Sequence, residues 1–226
     1  MRRYTSVILV AALLLSALSG IWLIAQPSLE RRETEGKQSQ MVERIEADIQ
    51  PRFAPEIAIY DEPDMLPEEF VEPAPEPEQI TPKIRDSVPI GTELGILTID
   101  SIELRLPVIE GTTPDGLKIA PGHVPETAYI GDTGNAVIAG HRNYAYGSMF
   151  NRLGEIELGD IISFTDINGE TMSFEVFEIA EIEPDDQIAF IQPEDESIIP
   201  LYTCTPIYSA TPRLLVRAAK IEGGIF

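Results

Sequence analysis

Ile198-Ile199-Pro200-Leu201-Tyr202-Thr203-Cys204-Thr205-Pro206 is the most informative segment of the sequence. The run Arg213-Leu214-Leu215-Val216-Arg217 follows it. The first run is apolar and ends at a cysteine. A short polar break with prolines follows, and the second run is again apolar. This pattern predicts two antiparallel strands joined by a loop. The hairpin would place the thiol of Cys204 at the end of one strand and the guanidinium of Arg213 at the start of the next.

Cys204 is the only cysteine in the chain of 226 residues, and two interpretations of it are open. A free cysteine is often buried and behaves as a small apolar side chain. Cys204 instead ends a strand beside Thr205 and Pro206, where the backbone turns outward, and a cation close in sequence favours a reactive thiolate. Because one cysteine forms no internal disulfide, the thiol is buried, paired between chains or reactive.

The two histidines are the candidates for a proton shuttle beside this thiol. His141 follows a strand-like run and a glycine, so its imidazole is expected at a rim of the fold. His123 lies in a Pro- and Gly-rich loop and is explained equally well as a turn-capping residue. Each histidine alone is more often structural or exposed. His141 with Cys204 and Arg213 would supply a nucleophile, a proton shuttle and an oxyanion-stabilising cation.

The last part of the chain, residues 87–226, is long enough for one domain with a buried core. Its further strand-like runs are 95–99, 104–109, 135–139, 161–165 and 172–179. The Asn168-Gly169 pair between two of these runs is typical of a hairpin turn. About seven or eight short strands predict an all-β barrel or sandwich, with helical turns only at 113–119 and 148–153.

An uncharged apolar run from Thr5 to Ala25 follows the basic residues Arg2 and Arg3. At ~1.5 Å rise per residue, a helix over this run is about long enough to cross a ~30 Å hydrocarbon core. The basic pair favours a cytoplasmic N-terminus with the rest of the chain outside. A cleaved signal peptide, with Ala17-Leu18-Ser19 as its small-x-small site, is the alternative. The run continues past that site, which favours an uncleaved anchor.

These patterns divide the chain into a cytoplasmic tail at 1–4, a transmembrane signal anchor at 5–25, a stalk at 26–86 and a globular domain at 87–226. The expected location is therefore the cell membrane, with a single pass and an extracytoplasmic domain.

Acidic residues and prolines dominate the stalk, and this composition predicts a semi-rigid, extended spacer. The charged segment 30–47 fits either a short helix or disorder. Apolar residues within 55–70 permit a lid that folds back over the domain. The net charge of −22 argues against a nucleic-acid partner and against adhesion to anionic lipid heads.

Three motifs together resemble a known family. They are Gly140-His141-Arg142, the Leu201 to Pro206 segment and the Arg213 to Arg217 run. With the anchor, the stalk and the all-β domain, they are similar to the sortases, the cysteine transpeptidases of Gram-positive cell surfaces. The resemblance extends over about residues 94–221, and it matches three catalytic positions in the right order.

The resemblance implies a closed seven- or eight-stranded β-barrel with short helices in loops. It implies Cys204 as the nucleophile, His141 as the general acid/base and Arg213 as the residue that binds the scissile carbonyl and its oxyanion. His123 does not fall at a catalytic position of the family. The substrate-binding residues that we infer with it are Thr203, Thr205 and Val137.

Pro200 departs from the family pattern, in which a threonine usually occupies this position. Proline removes a strand donor, so we expect the strand to be distorted or to lie at an edge there. The class is best described as the single-anchor class D type, with class C left open. Class C enzymes usually carry a lid with an Asp-Pro-aromatic motif, where this chain has Asp61-Glu62-Pro63-Asp64.

The implied function is cleavage of a Leu-Pro-x-Thr-Gly-like sorting motif through a thioester, followed by transfer of the cargo protein to a cell-wall amine. The implied partners are exported proteins with a C-terminal sorting motif, a lipid-linked wall precursor or a pilin amine, and the membrane. No cofactor is expected, and calcium binding by acidic loops is left open. A pilin polymerase that uses a lysine amine, a hydrolase and a non-catalytic surface adaptor are the alternatives.

Overall fold

The structure is a computed structural model that describes residues 2–49, 88–142, 148–206 and 212–221. In this described part, nine strands, numbered β1 to β9 along the chain, form one sheet. Their order across the sheet is β4-β8-β5-β3-β2-β1-β6-β7-β9. The strands of this described part are β1 Glu93–Ile99, β2 Leu104–Glu110, β3 Gly122–His123, β4 Gly134–Asn135, β5 Ile138–Ala139, β6 Ile161–Asp166, β7 Thr171–Ile182, β8 Ser197–Cys204 and β9 Arg213–Lys220.

An additional pairing of β8 with β9 closes the sheet into a barrel. β4 and β5 both pair with β8 in parallel, one after the other along its length, so they share one position in the ring. The closed ring therefore has eight positions. β2 and β3 are also parallel, whereas the pairs β1–β2, β1–β6, β6–β7 and β7–β9 are antiparallel. The predicted all-β barrel is confirmed.

The hairpin between β6 and β7 forms where Asn168-Gly169 predicts it. Thr165 pairs with Thr171 across the turn. Asp166 holds the turn because its Oδ1 accepts hydrogen bonds from the backbone amides of Asn168 at 2.8 Å and Glu170 at 2.9 Å. Gly169 has a φ of +85°, a conformation that glycine adopts without strain.

Alternate residues of the strands point into the barrel and form one apolar core. Its large, fully buried side chains are Leu97, Ile99, Ile102, Ile138, Phe150, Leu153, Ile162, Phe174, Ile199 and Leu201. Phe150 and Leu153 come from the connection between β5 and β6 and are fully buried in this core. This connection thus ties the segment after β5 to the core.

Helical turns form near both predicted places, with α2 at Pro114–Leu117 and a 3₁₀ turn at Asn151–Glu155. Thr113 caps α2, since its side chain accepts a hydrogen bond from the amide of Gly116. The short strand β3 was not predicted, because the surrounding glycine and prolines are typical of a loop.

A continuous helix, α1, spans Arg2–Ile49, so it includes the predicted anchor at 5–25 and residues 26–49 of the predicted stalk. Its final turns pack on the barrel through Ile45, which is buried, and through the buried side chain of Gln38. Ion pairs join Arg44 to Glu93 at 2.8 Å and Glu46 to Arg105. The charged segment 30–47 is therefore helical, which is the first of its two interpretations, and its last turns contact the barrel.

No helix within the described residues combines the length and the hydropathy of a membrane span. The anchor at 5–25 stays a prediction. The lid predicted within 55–70 lies outside the described residues, as do the other residues of 50–87.

Pro200 does not mark an edge or a distortion, so that expectation is wrong. β8 lies inside the ring, and its register with β9 runs without a shift from Ile198 opposite Ala219 to Cys204 opposite Arg213. On its other side Pro200 falls in the break between β4 and β5. The missing N–H donor therefore coincides with a gap in the hydrogen-bond ladder, where no partner strand needs it.

Candidate active site

Cys204 and Arg213 lie directly opposite each other on neighbouring strands. They are register partners at the loop end of the β8–β9 hairpin, where β8 ends and β9 begins. Residues directly opposite in an antiparallel pair have Cα atoms about 4.5–5.5 Å apart. The predicted hairpin thus places its thiol and its guanidinium side by side, and Cys204 is partly exposed.

His141 reaches the same level from the other side of β8. The parallel register of β5 with β8 pairs Ala139 with Tyr202. Two residues further along each of these two segments, His141 comes level with Cys204. Adjacent strands lie about 4.8 Å apart, so the imidazole-bearing and thiol-bearing segments are neighbours. His141 is exposed.

Hydrogen bonds hold the backbone around His141 in place beside the end of β8. The amide of Gly140 donates to the carbonyl of Tyr202 at 3.1 Å. The hydroxyl of Thr203 donates to the carbonyl of Gly140 at 2.7 Å. The amide of Phe150 donates to the carbonyl of His141 at 3.1 Å. The backbone of His141 is therefore held between β8 on one side and the core-covering connection on the other.

The side chains of Cys204 and Arg213 lie on the outer face of the barrel wall. Side chains alternate between the two faces along a strand. The core-facing neighbours that set this alternation are Leu201 and Leu214. Positions 204 and 213 are an odd number of residues away from these neighbours and so point to the opposite face. The thiol and the guanidinium thus share one face, and His141 follows the end of β5 beside them.

The connection between β7 and β8 contacts Tyr202, the residue two positions before Cys204 on β8. The ring of Phe190 meets the ring of Tyr202 edge-on with centroids 6.1 Å apart, and the guanidinium of Arg213 lies over the same Tyr202 ring at 6.0 Å. A guanidinium over an aromatic face is attracted to it electrostatically. Tyr202 therefore holds the Arg213 side chain along this face.

Arg142 lies beneath this cluster and was not singled out from the sequence for a role. Its Nη1 donates to Oγ1 of Thr205 at 2.8 Å and lies 3.5 Å from the carbonyl oxygen of Cys204. The hydroxyl of Thr205 donates in turn to Oε1 of Glu181 at 3.2 Å. A Cβ on Gly154 would lie 2.3 Å from Nη2 of Arg142, so the guanidinium packs on the Gly154 backbone.

His123 is buried and fully engaged, away from the thiol. Its Nδ1 lies 2.8 Å from Oε2 of Glu110, and its Nε2 lies 2.8 Å from the carbonyl oxygen of Ala128 and 3.1 Å from Oγ1 of Thr127. Its ring also stacks on Tyr129, with centroids 5.7 Å apart. The loop histidine is structural, whereas the imidazole of His141 is open to solvent.

The three inferred substrate-binding residues are buried. Thr203, Thr205 and Val137 are 2%, 3% and 0% exposed, and the two hydroxyls are used by Gly140 and by Glu181. Their placement argues against direct side-chain contact with a substrate. Thr203 and Thr205 instead tie the end of β8 to its neighbours.

A cavity of about 360 Å³ lies at the other end of β9. It is lined by apolar and charged side chains that include Leu94, Ile130, Phe164, Met172 and Lys220. Lys220 and Arg213 are at opposite ends of β9, so this cavity is separate from the candidate site. Within the described part of the chain, no group of three or more His, Cys, Asp or Glu side chains is placed to hold a metal ion.

A thiol, an imidazole and a guanidinium at one level of a barrel are the arrangement expected of a cysteine-dependent acyl-transfer enzyme. The family model for the sortase domain matches residues 97–221, which is more than half of the chain. The chain therefore belongs to the sortase family of cysteine transpeptidases, as its motifs predict.

Sortase D of Bacillus subtilis is 33% identical to the chain over 135 residues, which are 58% of this chain and 65% of that protein. A Clostridium perfringens sortase D5 transpeptidase of known structure is 30% identical, with a TM-score of 0.55 over 60% of this chain and 82% of that one. A sortase C from Clostridium perfringens, solved with the C-terminal cell wall sorting motif, is 27% identical, with a TM-score of 0.55 over 59% of this chain and 73% of that one. Both class D and class C are thus represented among the similar proteins.

Proposed function

We propose that the chain cleaves a Leu-Pro-x-Thr-Gly-like sorting motif through a thioester on Cys204 and transfers the cargo to an amine. The observation that supports this most is the direct pairing of Cys204 with Arg213 on β8 and β9, with His141 just past the end of β5 on the other side of β8. The sortase C structure with a sorting motif supports the class of substrate. Transfer to a cell-wall amine follows from the preference for class D.

In the first half-reaction the sulfur of Cys204 attacks the carbonyl carbon of the motif threonine. The bond to the following glycine nitrogen breaks, and His141 gives the departing amine its proton. The exposed imidazole of His141 is free of the structural hydrogen bonds that engage His123. The thioester retains the energy of the amide bond, so no external energy source is needed.

Arg213 stabilises the charge that develops on the carbonyl oxygen. It stands opposite Cys204, and the Tyr202 ring holds its side chain on the same face. Preorganised donors of this kind are worth about 3 kcal/mol of barrier. In the second half-reaction an incoming amine attacks the thioester, His141 takes its proton, and the thiolate leaves.

The apolar run 5–25 serves as the membrane anchor in this proposal. A tethered cargo precursor and a lipid-linked wall precursor would be confined with the enzyme near one membrane surface. Confinement of this kind raises effective concentration without any new contact. The domain then works outside the cell at the membrane face.

The test is mass spectrometry of the intact protein after incubation with a Leu-Pro-x-Thr-Gly peptide. The expected result is an acyl adduct on Cys204 that disappears when an amine is added. Cys204→Ala should form no adduct while its melting temperature stays close to that of the parent. An adduct or a transfer product with Cys204→Ala would disprove the assignment.

The acceptor is identified by products formed with added amines. Transfer to a wall-peptide amine supports the proposed role, transfer only to a lysine side chain identifies a pilin polymerase, and release to water identifies a hydrolase. A folded protein whose Cys204 reacts with neither peptide nor a small thiol reagent would be the non-catalytic adaptor.

A further inference from the structure

We propose that Arg142 is a positioning residue, which fixes the segment that carries His141 at the correct distance from the end of β8. This inference rests on the proposed function for its consequence in catalysis, but its geometric part can be tested without any activity. Arg142 does not share the face of the candidate site. It acts through the strand ends that carry the imidazole and the thiol.

The contacts of Arg142 join two segments that no regular ladder joins. β5 ends at Ala139, and the amide of Gly140 still donates to the carbonyl of Tyr202 on β8. His141 follows this last described backbone bond to β8. After Gly140, the described hydrogen bonds to the end of β8 come from the guanidinium of Arg142. It donates to Oγ1 of Thr205 and lies near the carbonyl oxygen of Cys204. It therefore replaces a strand pairing at the level where the reacting groups must meet.

The guanidinium is itself fixed in place. Glu181 of β7 balances its charge through the hydroxyl of Thr205. The backbone of Gly154 contacts its far side, and a Cβ there would overlap Nη2. A planar guanidinium offers several donors in a fixed geometry, which a lysine ammonium does not reproduce. Nη1 and Nη2 of the guanidinium are therefore both in contact, while Nε has no hydrogen-bond partner among the described residues.

The consequence is a specific split in the kinetic constants. Displacement of a reacting group by about 1 Å can cost on the order of 100-fold in rate. Loss of Arg142 should therefore lower kcat about 10- to 100-fold, with KM within about threefold, because the substrate-facing groups remain. Arg142→Lys should recover part of kcat, since one donor can still reach Thr205.

The activity-independent readout is a disulfide between positions 141 and 204. His141→Cys adds one thiol to a chain whose only other cysteine is Cys204. Equilibration with oxidised and reduced glutathione gives the effective concentration of the two thiols. Adding Arg142→Met should lower this effective concentration about tenfold. The control is Arg152→Met, since Arg152 bonds Glu103 and Glu155 instead of β8.

A double-mutant cycle tests whether Arg142 acts through its partner Thr205. Thr205→Val removes the acceptor, and its effect on kcat and on the disulfide should not add to that of Arg142→Met. If Arg142→Met does not fold, Thr205→Val and Gly154→Ala decide by the same readouts, because Gly154→Ala displaces the guanidinium while Arg142 is retained.

An effective concentration within about twofold of the parent in Arg142→Met, or additive effects in the cycle, would overturn the inference. So would failure of the disulfide to form while Arg142 is present. If the parent protein acylates no sorting peptide, the proposed function fails separately, and the disulfide experiment still decides the role of Arg142.

Discussion

Nδ1 of His123 lies 2.8 Å from Oε2 of Glu110, and both side chains are buried. Nε2 of the same ring faces the carbonyl of Ala128, which only accepts, so Nε2 carries a proton. Nδ1 and the carboxylate oxygen of Glu110 are then joined by one buried hydrogen bond. This pair joins β2 to β3 and engages one of the two histidines of the chain, so the acid–base role that we propose is assigned to the other, His141.

Glu110→Ala should destabilise the fold by about 3 kcal/mol, because it leaves a buried imidazole without its partner. Urea denaturation measures the free energy of unfolding. The control is Glu103→Ala, since Glu103 is the exposed partner of Arg152 and should change stability by less than about 1 kcal/mol. Equal small losses in both variants would show that the buried pair is not structural.

Gly95→Ala should cost more than about 3 kcal/mol or prevent folding, because the added Cβ would lie 2.2 Å from the backbone oxygen of Thr165. Gly95 lies at the register shift of β1, and neither strand backbone can move freely there. Gly159→Ala is the control, since Gly159 also has a positive φ but its Cβ meets nothing within 4 Å. It should cost about 1 kcal/mol. Thermal and urea unfolding compare the two, and equal effects would contradict the close approach.

The hairpin of β8 and β9 was predictable because the residues that define it are close together in the sequence. Strand-length apolar runs, punctuated by prolines, define both strands and put Cys204 opposite Arg213. The Asn168-Gly169 turn was predictable for the same reason. Pro200 was misinterpreted because a single strand does not show where its neighbour is interrupted. The gap between β4 and β5 is a property of the partner.

The features that escaped prediction depend on partners distant in the chain. Ile45 is part of a weak helical spacing, and its burial comes from a barrel that begins more than 40 residues later. Glu110 and His123 carry no local sign of pairing. Arg142 is adjacent to His141 and was quoted only as part of a motif, because its partner Thr205 is 63 residues away.

Arg213→Ala should lower kcat for sorting-peptide cleavage about 100- to 1,000-fold with little change in melting temperature, because it removes the donor to the developing oxyanion. Arg213→Lys should recover little, since an ammonium does not reproduce the guanidinium fork. Arg217→Ala is the matched control, because Arg217 lies on the same strand but bonds Glu178 at 2.7 Å. Its activity should stay within about threefold of the parent. Similar losses in both arginine variants would argue for a general effect of charge on β9.

Ile45→Asp should detach the end of α1 from the barrel, because it places an unpaired carboxylate where the side chain is now buried. Hydrogen exchange of the amides in residues 38–49 should accelerate about tenfold or more, while the amides of β8 and β9 stay protected. The control is Ala47→Asp, which adds the same carboxylate two residues along the helix at an exposed position. It should leave exchange nearly unchanged. If both variants exchange alike, the packing of α1 on β1 and β2 does not stabilise this part of the helix, and the ion pairs of Arg44 and Glu46 would be surface contacts of little energy.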